Sequence, residues 1–181
     1  MRKPNQEIID KQILEDILSQ ATVCRIAMID HGAPYLLPFN YGYRDKCLYI
    51  HSAAGGKKIN ALSLQPRVCF EVEQQAGVVK GPQACDWTTL YRSVIGYGTV
   101  EIIREHALKI EGLEIIMAQH GAPELTAFKK KNVDAVVILK LNIDSMTGKQ
   151  SGNWNRVMQQ ASLNLKRERM LLEVITRDDL Q

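Results

Sequence analysis

Leu48-Tyr49-Ile50-His51-Ser52-Ala53-Ala54-Gly55-Gly56-Lys57-Lys58 reads as a strand that opens into a bare turn and closes on two cations. Leu48, Tyr49 and Ile50 suit a buried strand. Residues 53–56 are small, so main-chain N–H groups there can approach a ligand closely. His51 and Ser52 stand at the strand's mouth, and Lys57 and Lys58 add fixed positive charge. Strand, bare turn and paired lysines together suit a phosphate group. An ordinary exposed turn has the same composition, so the motif carries two readings. Its spacing matches neither a Walker loop nor a GxGxxG fingerprint.

Working outward, more strands appear on both sides. Residues 22–29 are apolar and β-branched, and residues 30–33 make a turn in which His31 is an exposed loop residue. Residues 34–43 form a second strand, which Pro38 demotes to an edge or a bulge. The break beside Asn40 either exposes main-chain groups that a flat heterocycle could use or simply twists an edge strand. Residues 59–64 make one or two helical turns, stopped before Pro66. In residues 67–73, Val68, Phe70 and Val72 alternate with Arg67, Cys69, Glu71 and Glu73, as a half-buried strand does. Residues 74–86 read as a loop.

Residues 87–104 form the longest strand. Its Arg92 and Ser93 suit a phosphate. Gly96 and Gly98 bare one face for a ligand, another backbone or a barrel corner. Residues 134–143 are a further strand, running into a turn at 144–150 with Lys149 and Gln150 at its tip. Helices are expected over 6–19, with Ile9, Ile13, Leu14, Ile17 and Leu18 at helical spacing, and over 105–120, with Leu108, Gly112, Ile115 and Ile116 on one face. Gly121 can cap the second helix. Lys129-Lys130-Lys131 reads as a solvated turn, and a charged helix is expected over 156–175, after Trp154. About six strands that follow one another without regular intervening helices point to an antiparallel barrel with peripheral helices.

The 181 residues suit one domain with a substantial core, and 45% hydrophobic with 24% charged residues is an ordinary soluble composition. Apolar runs such as 135–139 are far too short to span a membrane. Formal charge is +3, too mild to argue for nucleic acid. The first residues show no signal-peptide pattern, so a cytoplasmic location is expected. Cys24, Cys47, Cys69 and Cys85 make no CxxC pair and no zinc-spaced cluster, so they read as reduced, packed residues and no metal is expected.

Pro38-Phe39-Asn40-Tyr41, the stretch 48–58, Tyr91-Arg92-Ser93-Val94-Ile95-Gly96-Tyr97-Gly98 and Thr147-Gly148-Lys149-Gln150 occur in one order. That order resembles the FMN-binding proteins related to pyridoxamine 5′-phosphate oxidase, with the nitroimidazole-resistance (Nim) branch most alike, over about residues 8–152. The resemblance implies a six-stranded split barrel and a homodimer with FMN at the subunit interface. The barrel would occupy residues 1–152, with 153–181 a helical extension on the same domain or the dimer partner. It implies that Ser52, Lys57 and Lys58 hold the FMN phosphate. Pro38, Phe39, Asn40 and Tyr41 would line the isoalloxazine, and Arg92 and Ser93 would contact phosphate or ribityl. Lys149, Gln150 and either Trp87 or Trp154 would approach from one subunit or the other.

His51 matches the histidine that Nim proteins place beside the flavin. It either donates a proton to a reducing substrate or only shapes the pocket. The activity implied is FMN-dependent reduction of a small acceptor such as a nitro compound, with NADH, NADPH or another donor. Two alternatives stand: a pyridoxamine 5′-phosphate oxidase-like enzyme, for which no arginine-rich C-terminal motif is found, and a non-catalytic flavin- or haem-binding protein or regulator.

Overall fold

A computed structural model describes residues 3–122, 127–152 and 154. The chain divides into two bodies, one of residues 1–74 and 92–150, the other of residues 75–91 and 151–181. In order, the elements are β1 (Glu7–Ile8), α1 (Lys11–Gln20), β2 (Val23–Asp30), β3 (Ala33–Asn40), β4 (Gly42–Arg44), β5 (Cys47–Ala53), α2 (Lys57–Leu64), β6 (Arg67–Val79), β7 (Thr88–Ile103), α3 (His106–Gln119), α4 (Lys130–Asp134) and β8 (Val136–Ser151). The strands are ordered β3-β2-β6-β7-β8-β5-β4, with β1 also on β8. Every pairing with a described register is antiparallel. The architecture is a mainly β split barrel with few helices.

Eight strands replace the expected six because one short strand forms where a helix was read and one expected strand splits in two. Asp10 accepts a hydrogen bond from the Gln12 amide (2.9 Å), so α1 starts at Lys11 rather than at residue 6. That frees Glu7 and Ile8 to pair with Lys149 and Gly148. Ile8 is buried, whereas Ile9, expected on the helix's apolar face, is 84% exposed. Residues 34–43 split into β3 and β4 at Tyr41, whose buried hydroxyl donates to the Leu18 carbonyl at 2.6 Å. The expected turn at 144–150 is absent: β8 runs on to Ser151, and β1 takes up its polar end. The loop read over 74–86 is strand as far as Val79, followed by a 3-10 turn at Ala84–Asp86. The solvated turn at 129–131 is instead the start of α4. The helix expected over 156–175 lies outside the described residues.

The core has two parts, divided by the sheet. Inside the barrel, Phe70, Ile26, Met28, Leu48, Ile50, Val72, Val94, Leu139 and Leu141 pack with α1 and α2 side chains. Outside it, Cys47, Tyr49 and Ile138 lie beneath Ile115 and Ile116 of α3. β5 and β8 therefore bury both faces, which explains their continuous apolar runs. On α3, the residue completing the buried stripe is Lys109, not Leu108, which is 43% exposed. The Lys109 ammonium donates to the Val133 (2.6 Å) and Val136 (3.1 Å) carbonyls and so satisfies its burial.

Two tight turns fix the hairpins. His31 (φ 48°) and Gly32 (φ 83°) close β2 on β3, and Asp45 (φ 51°) and Lys46 (φ 59°) close β4 on β5. A two-residue hairpin makes its closing pair, Asp30 and Ala33, a hydrogen-bonded pair. By alternation, Tyr35, Leu37 and Phe39 bond to β2, and the main chain of Pro34, Leu36, Pro38 and Asn40 points to the open edge. Both prolines fall where no amide hydrogen is needed by the sheet. On the outer face, Leu36, Ala27 and Cys69 line up across β3, β2 and β6. Val23, Ile29, Leu36, Ile95 and Tyr97 on this face are each 39–60% exposed.

Gly96 and Gly98 serve the barrel, not a ligand. A Cβ on Gly98 would lie 2.3 Å from the Asn142 carbonyl oxygen, and one on Gly96 would strike the Phe70 ring at 2.4 Å. Gly98→Ala should therefore cost about 2 kcal/mol or more of unfolding free energy in a urea titration. A change under about 0.5 kcal/mol would show that β7 and β8 have more room than this.

Candidate functional site

The site is built on the N-terminus of α2. Gly56 stands at the N-cap with φ 101°, a left-handed conformation that glycine adopts freely, and no side chain caps the helix. A Cβ at Gly55 or Gly56 would meet nothing within 4 Å, so this end of the helix opens to solvent. Its first N–H groups have no intrahelical acceptors. The first turn holds no acidic residue, and its first two residues are lysines. Cations at the positive end of a helix are repelled by its dipole, each by about 0.3–1 kcal/mol. Such an end, bare of a cap and doubly charged, is matched to an anion.

The two lysines lie over β3 but do not have the same surroundings. Lys57 Nζ is 3.0 Å from Asp30 Oδ2 and 4.6 Å from the Tyr35 ring centroid. Lys58 Nζ is 5.3 Å from the Phe39 ring centroid, and among the described residues it has no carboxylate partner. Tyr35 and Phe39 share the inward face of β3, half-buried, while Pro38 and Asn40 are exposed on the other. Asp30 and Tyr35 were not anticipated as members of this site. They meet Lys57 across a hairpin and a whole strand, and no local motif signals such a contact.

The remaining expected residues fall into separate places. Ser52 is 3% exposed and its hydroxyl donates to the Ala53 carbonyl at 3.0 Å. His51, next along β5, is exposed and points to the opposite face, beside Ile138 and Tyr49. Tyr41 is wholly buried, and burial pushes its hydroxyl up in pKa. Arg92 and Gln150 form a second cluster, with Arg92 Nε donating to Gln150 Oε1 at 3.2 Å. Partial burial lowers the Arg92 guanidinium from its ordinary pKa, and the Asp16 carboxylate opposes that shift. Ser93 and Lys149 are half-buried on the same two strands. The two clusters meet β8 at opposite ends, since Ser52 pairs with Val137 and Gln150 is its penultimate residue.

Both tryptophans belong to the second body. Trp87 is 51% exposed, donates to the Gly81 carbonyl (3.1 Å) and stacks with the Lys80 ammonium. Trp154 is buried and donates to the Tyr91 and Ser151 carbonyls.

Among the described residues no group of His, Cys, Asp or Glu could hold a metal, and no helix is long and apolar enough to cross a membrane. Burial pushes the Cys24 thiol up to about 12 and raises Cys47 and Cys69 too, which leaves thiolate chemistry remote at neutral pH. Cys85 is exposed. A thiol reagent such as DTNB should label Cys85 first in the native protein and reach Cys24 only on unfolding. Labelling of Cys24 at the native rate would contradict its burial.

The sequence matches the family model described as pyridoxamine 5′-phosphate oxidase over residues 10–150. Among solved structures it is similar to a candidate 5-nitroimidazole antibiotic resistance protein from Bacteroides thetaiotaomicron. The two share 33% identity at a TM-score of 0.70, over 80% of this chain and 86% of that one. It is also similar to the FAD and haem binding protein from Mycobacterium smegmatis, at 25% identity and a TM-score of 0.73, over 82% of this chain and 75% of that one. The flavocytochrome Anf3 from Azotobacter vinelandii shares the fold at 22% identity and a TM-score of 0.72, over 83% and 72% of the two chains. No curated protein matches the chain.

Proposed function

The chain belongs to the pyridoxamine 5′-phosphate oxidase family, and from that we propose that it is a cytoplasmic, homodimeric FMN-binding oxidoreductase of the nitroimidazole-resistance type. It would pass electrons from NADH, NADPH or another donor to a small acceptor such as a nitro compound. The observation that carries the reading is the uncapped, lysine-bearing start of α2. The open Gly55-Gly56 main chain leaves room for a terminal phosphate, and Lys58 stands beside it with no carboxylate among the described residues to neutralise it. The similar protein from Mycobacterium smegmatis is a FAD and haem binding protein, which supports a flavin in this chain.

Bound there, FMN supplies the redox ring that carries electrons from donor to acceptor. The protein's own residues hold and orient it. Lys58 and the first α2 amides take the phosphate. The outward edge of β3 offers its amides at Leu36 and Asn40, and the side chains of Pro38, Phe39 and Asn40 bound the ring. Arg92, Ser93 and Gln150 serve phosphate or ribityl, and Lys149 serves the second approach. His51 holds a proton at the mouth of β5 for delivery to the reduced acceptor. Because the two cationic clusters stand at opposite ends of β8, a single flavin touching both is best served by two subunits. The exposed apolar row across the outer face supports such a pairing, since large contiguous apolar patches mark interaction surfaces. For a haem reading, the four histidines are all exposed, and His51 stands on the strand that leads into the α2 turn, on its opposite face.

An absorption spectrum of the purified protein with added FMN tests the reading. Flavin bands near stoichiometry, bleached by NADH or NADPH and restored by a nitro compound, are expected. A haem band, or no flavin affinity, would overturn it. Lys58→Ala with Arg92→Ala should weaken FMN about a hundredfold and leave the fold intact. His51→Ala should keep the flavin and slow acceptor reduction by about tenfold or more; unchanged turnover would make His51 structural. Tyr97→Asp should convert the dimer to monomer in light scattering and release the flavin with it. A monomeric wild type would remove the shared-site argument.

A further inference from the structure

The two lysines of the α2 cradle carry the same charge, but their surroundings divide them. Lys57 is 59% exposed along its side chain, yet its ammonium is held by Asp30, which is only 19% exposed. It also stacks on Tyr35. Tyr35 and Asp30 lie on the two strands of one hairpin, Tyr35 as the third residue of β3 and Asp30 at the very end of β2. Lys57 thus ties the β2–β3 hairpin to the first residue of α2. Lys58 is tied by no carboxylate among the described residues and lies over Phe39. With Asp30 counted, the cradle's fixed charge is +1 rather than +2, and the carboxylate stands beside the place an anion would take.

We propose that Asp30 is a built-in competitor for the cofactor phosphate, so that Lys58 binds the phosphomonoester while Lys57 is a positioning residue. The inference rests on the flavin reading above. A carboxylate within hydrogen-bonding range of one cation of an anion site lowers that cation's attraction for any incoming anion. It also lowers the mutual repulsion of Lys57, Lys58 and the helix dipole when no ligand is bound. Asp30 therefore stabilises the empty cradle and moderates the filled one. The consequence for selectivity is that the phosphate-bearing flavin is held less tightly, relative to the neutral one, than two free lysines would hold it.

The test compares dissociation constants for FMN and for riboflavin, by flavin fluorescence, in Asp30→Asn, Lys57→Gln and Lys58→Gln. Lys58→Gln should weaken FMN about tenfold or more, and Lys57→Gln by less than about threefold. Asp30→Asn should tighten FMN by about fivefold, because it lifts the cradle's charge at short range. Riboflavin affinity should move by less than about twofold in all three. A merely structural Asp30 would not raise FMN affinity while sparing riboflavin. Equal losses from the two lysines, or an FMN-to-riboflavin ratio untouched by Asp30→Asn, overturn the proposal.

Thermal melts of the protein without flavin give a second reading. Asp30→Asn and Lys57→Gln should each lower Tm slightly, and their double variant should fall no further than the larger single effect. Additive shifts would show that the pair is uncoupled and would overturn the proposal. A wild-type protein that takes up neither flavin sinks the flavin reading before any variant is made, and the melts then still judge the pairing.

Discussion

A helix that begins with two lysines and no cap works against its own dipole. In this chain the arrangement is tolerated because α2 is held by burial rather than by its ends: Ile59, Ala61 and Leu62 are fixed in the barrel core. The apolar face supplies enough stabilisation to outweigh a charge placement that costs about a kcal/mol. Asp30 relieves part of the strain from a neighbouring hairpin. The rest of the site follows from this one constraint. β3 lies beneath the lysines because its inward rings receive them, and β5 must end where it does to deliver the bare turn to the helix.

The barrel makes that placement rigid. β5 is buried on both faces, by the barrel interior on one side and by α3 on the other. A one-residue slip would exchange the two faces and move His51 inward and Ser52 outward, so the register is strongly specified. α3 in turn is fixed by Lys109, whose ammonium reaches two carbonyls at the α4–β8 junction. Glycine at 98 lets β8 pass close to β7, and glycine at 96 lets Phe70 fill the centre.

Much of this was legible in the sequence. The strand succession, the edge position forced by Pro38, the alternation of residues 67–73 and the barrel class followed from periodicity and from proline and glycine chemistry. The stretch 48–58 was legible because strand, small turn and cations are contiguous. What was not legible depends on contacts between distant residues. Lys109 reads as solvent-facing by composition, and only the carbonyls brought to it by α4 make it a core residue. Tyr41 was grouped with its exposed neighbours, whereas its hydroxyl meets Leu18 in the core. Asp30 looked like a turn residue. The short strand at Glu7–Ile8 was hidden inside a helical pattern because Ile9 mimics the helix period while facing solvent.

The alternating prolines of β3 have a bearing on how copies of the protein can associate. The open edge of a sheet normally invites another strand, and repeated addition there leads to unbounded assemblies. Here, of the four residues whose main chain faces outward, Pro34 and Pro38 have no hydrogen to donate, leaving amides only at Leu36 and Asn40. A strand arriving from another copy would find half its acceptors unanswered. Addition at the β3 edge is therefore disfavoured, and the apolar surface left for contact there lies on the broad face of the sheet. Contact through a face by the same patch on two copies is self-limiting: it ends at a closed, twofold pair rather than a filament.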